Sequence, residues 1–536
     1  MSATTGVGTM TGIALRTGWR SLLAWVVGLA AVMVLTGSSI SALYDTPEKV
    51  AGYAESLGGD ALAVINGRVA GLDTLGGVLA NEFGFVLSFA VPVMAIALTT
   101  RHTRREEETG RLELLLAARI GRHAPLAAAV LLVSAATVVT GAAVGAAMVP
   151  FGADPAGALR YGLAVAGLGL AFVGITAVAA QGVEHARAVW GIGLALTLVS
   201  FLLRGLGALR EGALVWASPH GWVDEVRAFG EDARWWPLAL PVLLWAGLVA
   251  LAVALRSRRD VGGALLRPRR THARASASLQ TSLGLAWHQQ RAVVAGWALG
   301  AAALMAVFGS LAQEIVDAVL DNPALGAFLG AGPEAQARAA DLVLAPMMST
   351  FLVMLALLVT AYVLVGVGSW RREEESGRLE VALSAPRPRS AWLGPRLLVV
   401  TVGALMVGAV GALALGAGAA ASLGDDAWLG DVTGAAAAQL PAVLVFLGLG
   451  TALVGWLPRA AVAGWGVFAL AAALAYLGPG LDLPSWLLDA TPFLAVGQDV
   501  VGEGPQPAAL AVLTVLGLVL LASGFVGLRR RDVPAG

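Results

Sequence analysis

The side chains able to do chemistry are concentrated in one short run, and the run occurs twice. Residues Arg104 to Arg122 read RREEETGRLELLLAARIGR, and Arg371 to Arg389 read RREEESGRLEVALSAPRPR. The shared core is R-R-E-E-E-x-G-R-L-E-x-x-L-x-A. Carboxylates and guanidinium groups at this spacing suit ion pairing and docking rather than bond making. If Arg104 to Ala118 is one helix, Arg104 and Glu108 share a face, as do Glu107 and Arg111, because residues four apart are neighbours on a helix. Glu106, Gly110 and Glu113 then form a second stripe, with Gly110 leaving room for a partner backbone. Leu112, Leu115 and Leu116 form an apolar patch. The copy keeps Glu373, Glu374, Glu375, Gly377, Arg378, Leu379, Glu380 and Leu383, and Pro386 in place of Arg119 ends its helix earlier.

Other chemistries are poorly provided for. The chain has no cysteine, which removes disulfides, thiol nucleophiles and Cys-ligated metals. Its six histidines, His102, His123, His185, His220, His272 and His288, are scattered without metal-ligand spacing. Lys49 is the single lysine and follows Glu48 rather than a glycine-rich loop, so no P-loop is present and no nucleotide cofactor is expected on this chain. Any ATP and magnesium would belong to another polypeptide.

The elements that must position the two runs are membrane spans. Hydrophobic residues make up 58% of the 536 residues and charged residues 13%, against about 25% charged in soluble domains. With apolar runs near the length that crosses a bilayer, this predicts an all-α polytopic membrane protein with about twelve spans. The first six fall near Leu22–Leu43, Glu82–Thr100, Leu126–Val149, Leu159–Gln181, Ala188–Leu203 and Pro237–Leu255. The second six fall near Val293–Ile315, Leu342–Ser369, Leu393–Leu423, Gly434–Leu457, Ala460–Leu477 and Pro507–Leu528. The first run is read as a retained helix, not a cleaved signal. Net charge is zero, which gives no case for nucleic-acid binding.

The two sets of spans are repeats. Arg258-Arg259-Asp260-Val261 returns as Arg530-Arg531-Asp532-Val533, and Pro219 corresponds to Pro492. Domains are therefore expected at 1–260 and 282–536, joined by a basic linker at 261–281. Arginines crowd both termini and alternate loops, which puts those loops, both termini and both RREEE runs on the cytoplasmic side of the membrane. Six spans per half make the repeats parallel. Trp222, Trp235, Trp236 and Trp486, in the polar segments opposite, read as interfacial anchors, with an extracellular gate as the alternative. The ionisable residues nearest the spans, Glu82, Arg160, Arg204, Glu314 and Asp341, sit near span ends and are expected to reach the interface.

Arginines beside a membrane need no special role, since the positive-inside rule accounts for them. Three consecutive glutamates, repeated, are not required by that rule. The pattern R-x-E-E-x-x-G-R-L-E-x-L-L, placed between the second and third spans, resembles the coupling helix of ABC exporter permeases. The fused twelve-span layout resembles the polyketide-antibiotic (tetronasin-type) permeases, and related exporters offer a short re-entrant pair as a further alternative for the outer segments Gly205–Trp236 and Gly478–Pro505. The resemblance implies a permease that pairs with two copies of a separate cytoplasmic ATPase and moves a hydrophobic or amphiphilic compound out of the cell. It also implies that Glu106, Glu107, Glu108, Gly110, Arg111 and Glu113, with Glu373, Glu374, Glu375, Gly377, Arg378 and Glu380, form the ATPase-coupling surfaces. The chain departs from full-length transporters in carrying no nucleotide-binding domain of its own. An adaptable apolar substrate path is expected along Phe83, Phe85 and Phe89 and along Met347, Phe351 and Met354. The competing reading is an ion-coupled secondary multidrug transporter, which would need ionisable residues inside the membrane.

Overall fold

The computed structural model describes every residue except 1, 58–62, 64, 65, 117–119, 211, 261, 267–275, 322–332, 385–387, 479–483 and 533–536. Among the described residues the regular elements are all helices, and twelve stretches are long and apolar enough to cross a membrane. Each coincides with an expected span, usually extended by several residues at its ends. The chain divides into two compact units, Met1–Arg270 and Thr271–Gly536.

Unit 1 contains α1 (Val7–Leu43), α2 (Pro47–Leu57), α3 (Leu75–His102), α4 (Arg104–Glu108), α5 (Arg111–Leu116), α6 (Ala124–Met148), α7 (Pro155–Gly182), α8 (Ala186–Arg210), α9 (Pro219–Glu225) and α10 (Ala239–Arg256). Helix α7 is its axis. It contacts α3, α6, α8 and α10, and the membrane window of its span is 78% buried, against 11% for the window ending in α10. Small residues allow this. A Cβ on Gly141 of α6 would fall 2.2 Å from the Gly162 carbonyl oxygen of α7, so the two backbones touch where neither has a side chain. Between α2 and α3, residues 67–74 form turns rather than a helix, with φ of +84° at Gly67 and +77° at Gly71.

Unit 2 contains α11 (Ser282–Ser310), α12 (Ala345–Glu375), α13 (Arg378–Leu383), α14 (Ser390–Leu423), α15 (Leu440–Trp456), α16 (Ala463–Leu477) and α17 (Pro507–Arg530), with shorter helices, among them Ala312–Asp321 and Ala427–Ala436, between them. Its tightest pairs are α11 with α14 and α15 with α17. The second pair again meets through glycines: a Cβ on Gly455 would lie 2.2 Å from the Gly524 carbonyl oxygen.

The RREEE runs are not single helices. Gly110 and Gly377 both have φ of +71°, a left-handed conformation that side chains with a Cβ rarely adopt. Each run is therefore two helical pieces with a glycine corner between them. In unit 1 the pieces are α4 and α5. In unit 2 the first piece is the last turn of α12, and the second is α13. This corrects two expectations: the run is not one continuous helix, although the space beside Gly110 stays open, and Arg104 and Glu108 are not the pair that forms. Leu112 and Leu379, just after the corners, are 3% and 1% exposed and anchor the second pieces. The side chains of Leu115 and Leu116, and Arg119 and Pro386, lie outside the described residues.

Candidate functional site: two glutamate–arginine joints

The carboxylate of Glu107 is 2% exposed and surrounded by arginines. Arg104 Nη1 donates to its Oε2 at 2.6 Å. Arg256 Nη1, at the end of α10, donates to Oε1 at 3.0 Å. Arg259, just beyond α10, grips both oxygens, Nη2 to Oε1 at 2.6 Å and Nη1 to Oε2 at 2.9 Å. Such two-point grips are the strong form of the charged hydrogen bond. Some of the remaining guanidinium hydrogens reach neighbouring groups, whereas Arg104 Nε and Arg256 Nη2 are buried without a hydrogen bond to any described group. Arg259 Nε donates to Gln181 Oε1 at 2.9 Å, and Arg104 Nη2 donates to the Gly263 carbonyl at 2.8 Å and to that of Val183. One carboxylate thus ties α4 to the end of α7 and to the end of α10.

Unit 2 builds the same joint with one arginine. Arg531, beyond α17, donates Nη1 to Glu374 Oε1 at 2.5 Å and Nη2 to Oε2 at 2.6 Å, with both side chains 12% exposed. Glu107 and Glu374 occupy the same place in RREEE, and Arg259 and Arg531 the same place in R-R-D-V. Two separately repeated motifs are therefore one interaction. A third repeated residue completes it. Arg122 Nη2 donates to the Arg256 and Arg259 carbonyls at 3.1 and 2.8 Å, and Arg389 Nη1 donates to the Leu528 carbonyl at 2.9 Å and to that of Arg531. A cation on the last carbonyls of a helix satisfies orphan acceptors and opposes the negative end of its dipole.

The other glutamates have separate tasks. Glu108 is exposed, and its Oε1 accepts the Ala186 backbone N–H at the start of α8, at 2.8 Å. Glu106 lies 3.9 Å from Arg111, a loose surface pair. Glu373 instead receives Arg396 Nη2 at 2.7 Å and Trp392 Nε1 at 3.2 Å. Glu375 pairs with Arg371 at 2.7 Å on the surface. Arg111, Glu113, Arg378 and Glu380 are exposed, and so are the outward edges of both second pieces. The expected coupling set thus separates into inward residues, led by Glu107, Glu373 and Glu374, and outward residues.

The expected path residues are dispersed in their own units. Phe83 is 1% exposed within the core of unit 1, while Phe85 and Phe89 are half-buried and lie edge-on to one another at 5.4 Å. Phe351 is 4% exposed and stacks on Phe308 at 4.5 Å, with Met347 and Met354 half-buried.

One expectation is overturned. Arg204 does not reach an interface: it is 3% exposed, 3.9 Å from Asp224, and lies over the Phe201 ring at 4.8 Å. Its counter-charge comes from α9, which folds back into the helices from the end of the unit away from the RREEE run. Sequence spacing could not reveal this, because Asp224 lies in a polar segment that reads as a surface loop.

The comparisons agree with a permease built from two like halves. The family described as "Multidrug efflux system permease Rv1217c, C-terminal domain" matches residues 7–255 and 279–529. The multidrug efflux system permease protein Rv1217c of Mycobacterium tuberculosis (strain H37Rv) is 32% identical over 524 residues, which cover 96% of this chain and 92% of that protein. The chain belongs to the family of the multidrug efflux system permease Rv1217c, and is a multi-pass efflux permease of the plasma membrane.

Proposed function

We propose that the chain is the membrane subunit of an ATP-binding-cassette exporter of the fused, tetronasin-type layout, driven by two copies of a separate cytoplasmic ATPase. Its cargo is a hydrophobic or amphiphilic compound such as an antibiotic. The observation that carries this reading is the repeated joint. In each unit a short charged element presents an outward edge and is braced from behind, through Glu107 or Glu374, to the end of the unit's last span. An element docked on a moving ATPase needs such a brace, since a force applied at the corner otherwise bends the short helix rather than shifting the spans.

In this reading the outward residues Glu108, Arg111 and Glu113, with Glu375, Arg378 and Glu380, meet the ATPase, and both RREEE runs and both termini are cytoplasmic. Glu107, Glu373 and Glu374 transmit the movement, and Glu106 lies with the outward residues. Closure of the ATPase pair on ATP shifts the two halves between access states. Phe85, Phe89, Met347 and Met354 offer adaptable surface for a greasy cargo.

The test is co-purification. The full chain is co-expressed with an ATP-binding-cassette subunit from the same genome, extracted, and assayed for bound subunit and ATP hydrolysis. Association that is lost on joint reversal of Glu113 and Glu380, with the permease still inserted, supports the reading. Association with no such subunit, together with dye export under a proton gradient alone, overturns it in favour of an ion-coupled transporter.

A further inference from the structure

Unit 1 holds a buried polar cluster that the ATPase reading does not use. Four elements build it. Pro92, inside α3, has no N–H, so the Ser88 carbonyl one turn earlier loses its helical partner. His220 of α9 takes that place: its Nε2 lies 2.8 Å from the Ser88 oxygen. A carbonyl only accepts, so Nε2 carries the proton, and Nδ1 accepts the Ser200 hydroxyl of α8 at 2.7 Å. Ser218 Oγ donates to the Ser200 carbonyl at 2.6 Å and also caps α9. Helix α9 is thus fastened to the middle of α3 and to α8.

Asp224, one turn along α9, points into the same interior. A cavity of about 40 Å³ lies there, bordered by Ser88, Tyr161, Arg204, His220 and Asp224. That volume admits roughly two or three waters and no cargo molecule. The Asp224 side chain is 9% exposed, and its Oδ2 faces Arg204 Nε at 3.9 Å without a hydrogen bond from any described group. Gly67 closes the cavity from another side: with φ of +84° it passes so close that a Cβ would fall 2.2 Å from Oδ2.

Unit 2 lacks this cluster. Leu355 stands where Ser88 does relative to the RREEE run, and Val359 where Pro92 does. Phe493 follows Pro492 where His220 follows Pro219. The proline that frees a carbonyl and the histidine that fills it are present together in one unit and absent together in the other. The carboxylate of the matching segment, Asp499, is half-exposed and accepts the Ser349 hydroxyl at 3.0 Å and the Gly502 N–H at 2.8 Å.

We propose that Asp224 is a proton-binding site, taking a proton when α9 is seated in unit 1 and giving it back to water when α9 lifts away. A carboxylate 9% exposed, with one oxygen unpartnered and its nearest cation 3.9 Å away, is poorly compensated for burial, whereas the neutral acid costs less to bury. The proton comes from bulk water and returns to it, and no other bond changes. Burial pushes the Asp224 carboxyl up to about 7, with the Arg204 charge pulling it down and Glu225 adding to the rise. The other titratable or charged groups around it are Tyr161, His220 and Arg227. Burial holds His220 down near 3, so it stays neutral and its two hydrogen bonds stay fixed. The sign follows from linkage. A carboxyl raised in the seated state and normal in the lifted state makes seating stronger at low pH, and weaker as pH rises through about 7.

The absence of cysteine makes the test direct. Val226, 1% exposed beside α9, is replaced by cysteine in the full chain in lipid nanodiscs, and its labelling by a water-soluble thiol reagent is timed from pH 6 to 8.5. Rates are corrected for thiol ionisation with cysteine at Val500, a buried valine of the matching segment in unit 2. The expected result is a corrected rise of roughly tenfold with pH, the change in proton occupancy of a carboxyl titrating near neutrality. Asp224→Asn, which cannot charge, labels slowly at every pH. Asp224→Glu retains the rise with a displaced midpoint. A flat wild-type profile overturns the proposal, and so does a rise that survives Asp224→Asn or keeps its midpoint in Asp224→Glu. The measurement uses no ATP and no ATPase, so its failure leaves the exporter reading untouched.

Discussion

Exchanging the charges of Glu374 and Arg531 separates an internal brace from a contact with a partner. The pair is bidentate at 2.5 and 2.6 Å and 12% exposed on each side. Two unit charges about 4 Å apart interact by about 4 kcal/mol at the effective dielectric near a protein surface. Removing one partner of a buried pair costs about 3–5 kcal/mol, much of it from the charge left behind. The slight exposure of this pair places it at the lower end, so about 3 kcal/mol is expected for Glu374→Arg or Arg531→Glu alone. For a unit of this size that corresponds to a fall in melting temperature of about 6–12 °C. The double reversal rebuilds the same two hydrogen bonds with the charges exchanged and should recover most of the loss. Thermal stability of the four proteins in detergent, read by fluorescence, closes the cycle. The matching exchange of Glu107 and Arg259 should not recover, because Glu107 also serves Arg104 and Arg256. A double reversal at 374 and 531 no more stable than the sum of its single changes would refute direct pairing, and with it the brace.

Three further outcomes follow from the same geometry. Gly110→Ala and Gly377→Ala each force a Cβ onto φ of +71°, costing about 1–2 kcal/mol at the corner. They should lower drug export several-fold with membrane levels unchanged, as read by minimum inhibitory concentration and immunoblot. His220→Phe, which installs the residue found at the equivalent place in unit 2, leaves the Ser88 carbonyl unpaired and should cost about 1–3 kcal/mol of thermal stability. Adding Pro92→Ala restores an N–H for that carbonyl and should return part of the loss. Arg111→Glu with Arg378→Glu alters exposed side chains and should leave melting within about 1 kcal/mol of the parent while weakening ATPase binding in a pull-down.

The span pattern was legible in the sequence because a bilayer demands long apolar helices, and the twelve helices fall where hydropathy put them. The RREEE run was legible as the centre of interest, but its geometry was not. A continuous helical register pairs Glu107 with Arg111, whereas the positive φ at Gly110 breaks the register and turns Glu107 toward Arg259, 152 positions along the chain. The sign was present: both R-R-E-E-E and R-R-D-V recur, one rich in anions and one in cations, at nearly the same interval. Asp224 was hidden for another reason. Hydropathy places α9 in a loop, and only a helix folded back into the bundle brings its carboxylate to Arg204 and its histidine to the carbonyl freed by Pro92.

The outward edges of the two charged elements are the surfaces proposed to meet an ATPase. Single cysteines at Glu113 and Glu380, in a chain that has none of its own, allow that contact to be read by crosslinking to the co-expressed ATP-binding subunit. A permease–ATPase adduct is expected from each position, and none from cysteine at Glu107, whose side chain is 2% exposed. An adduct from Glu107 with none from Glu113 and Glu380 would contradict it.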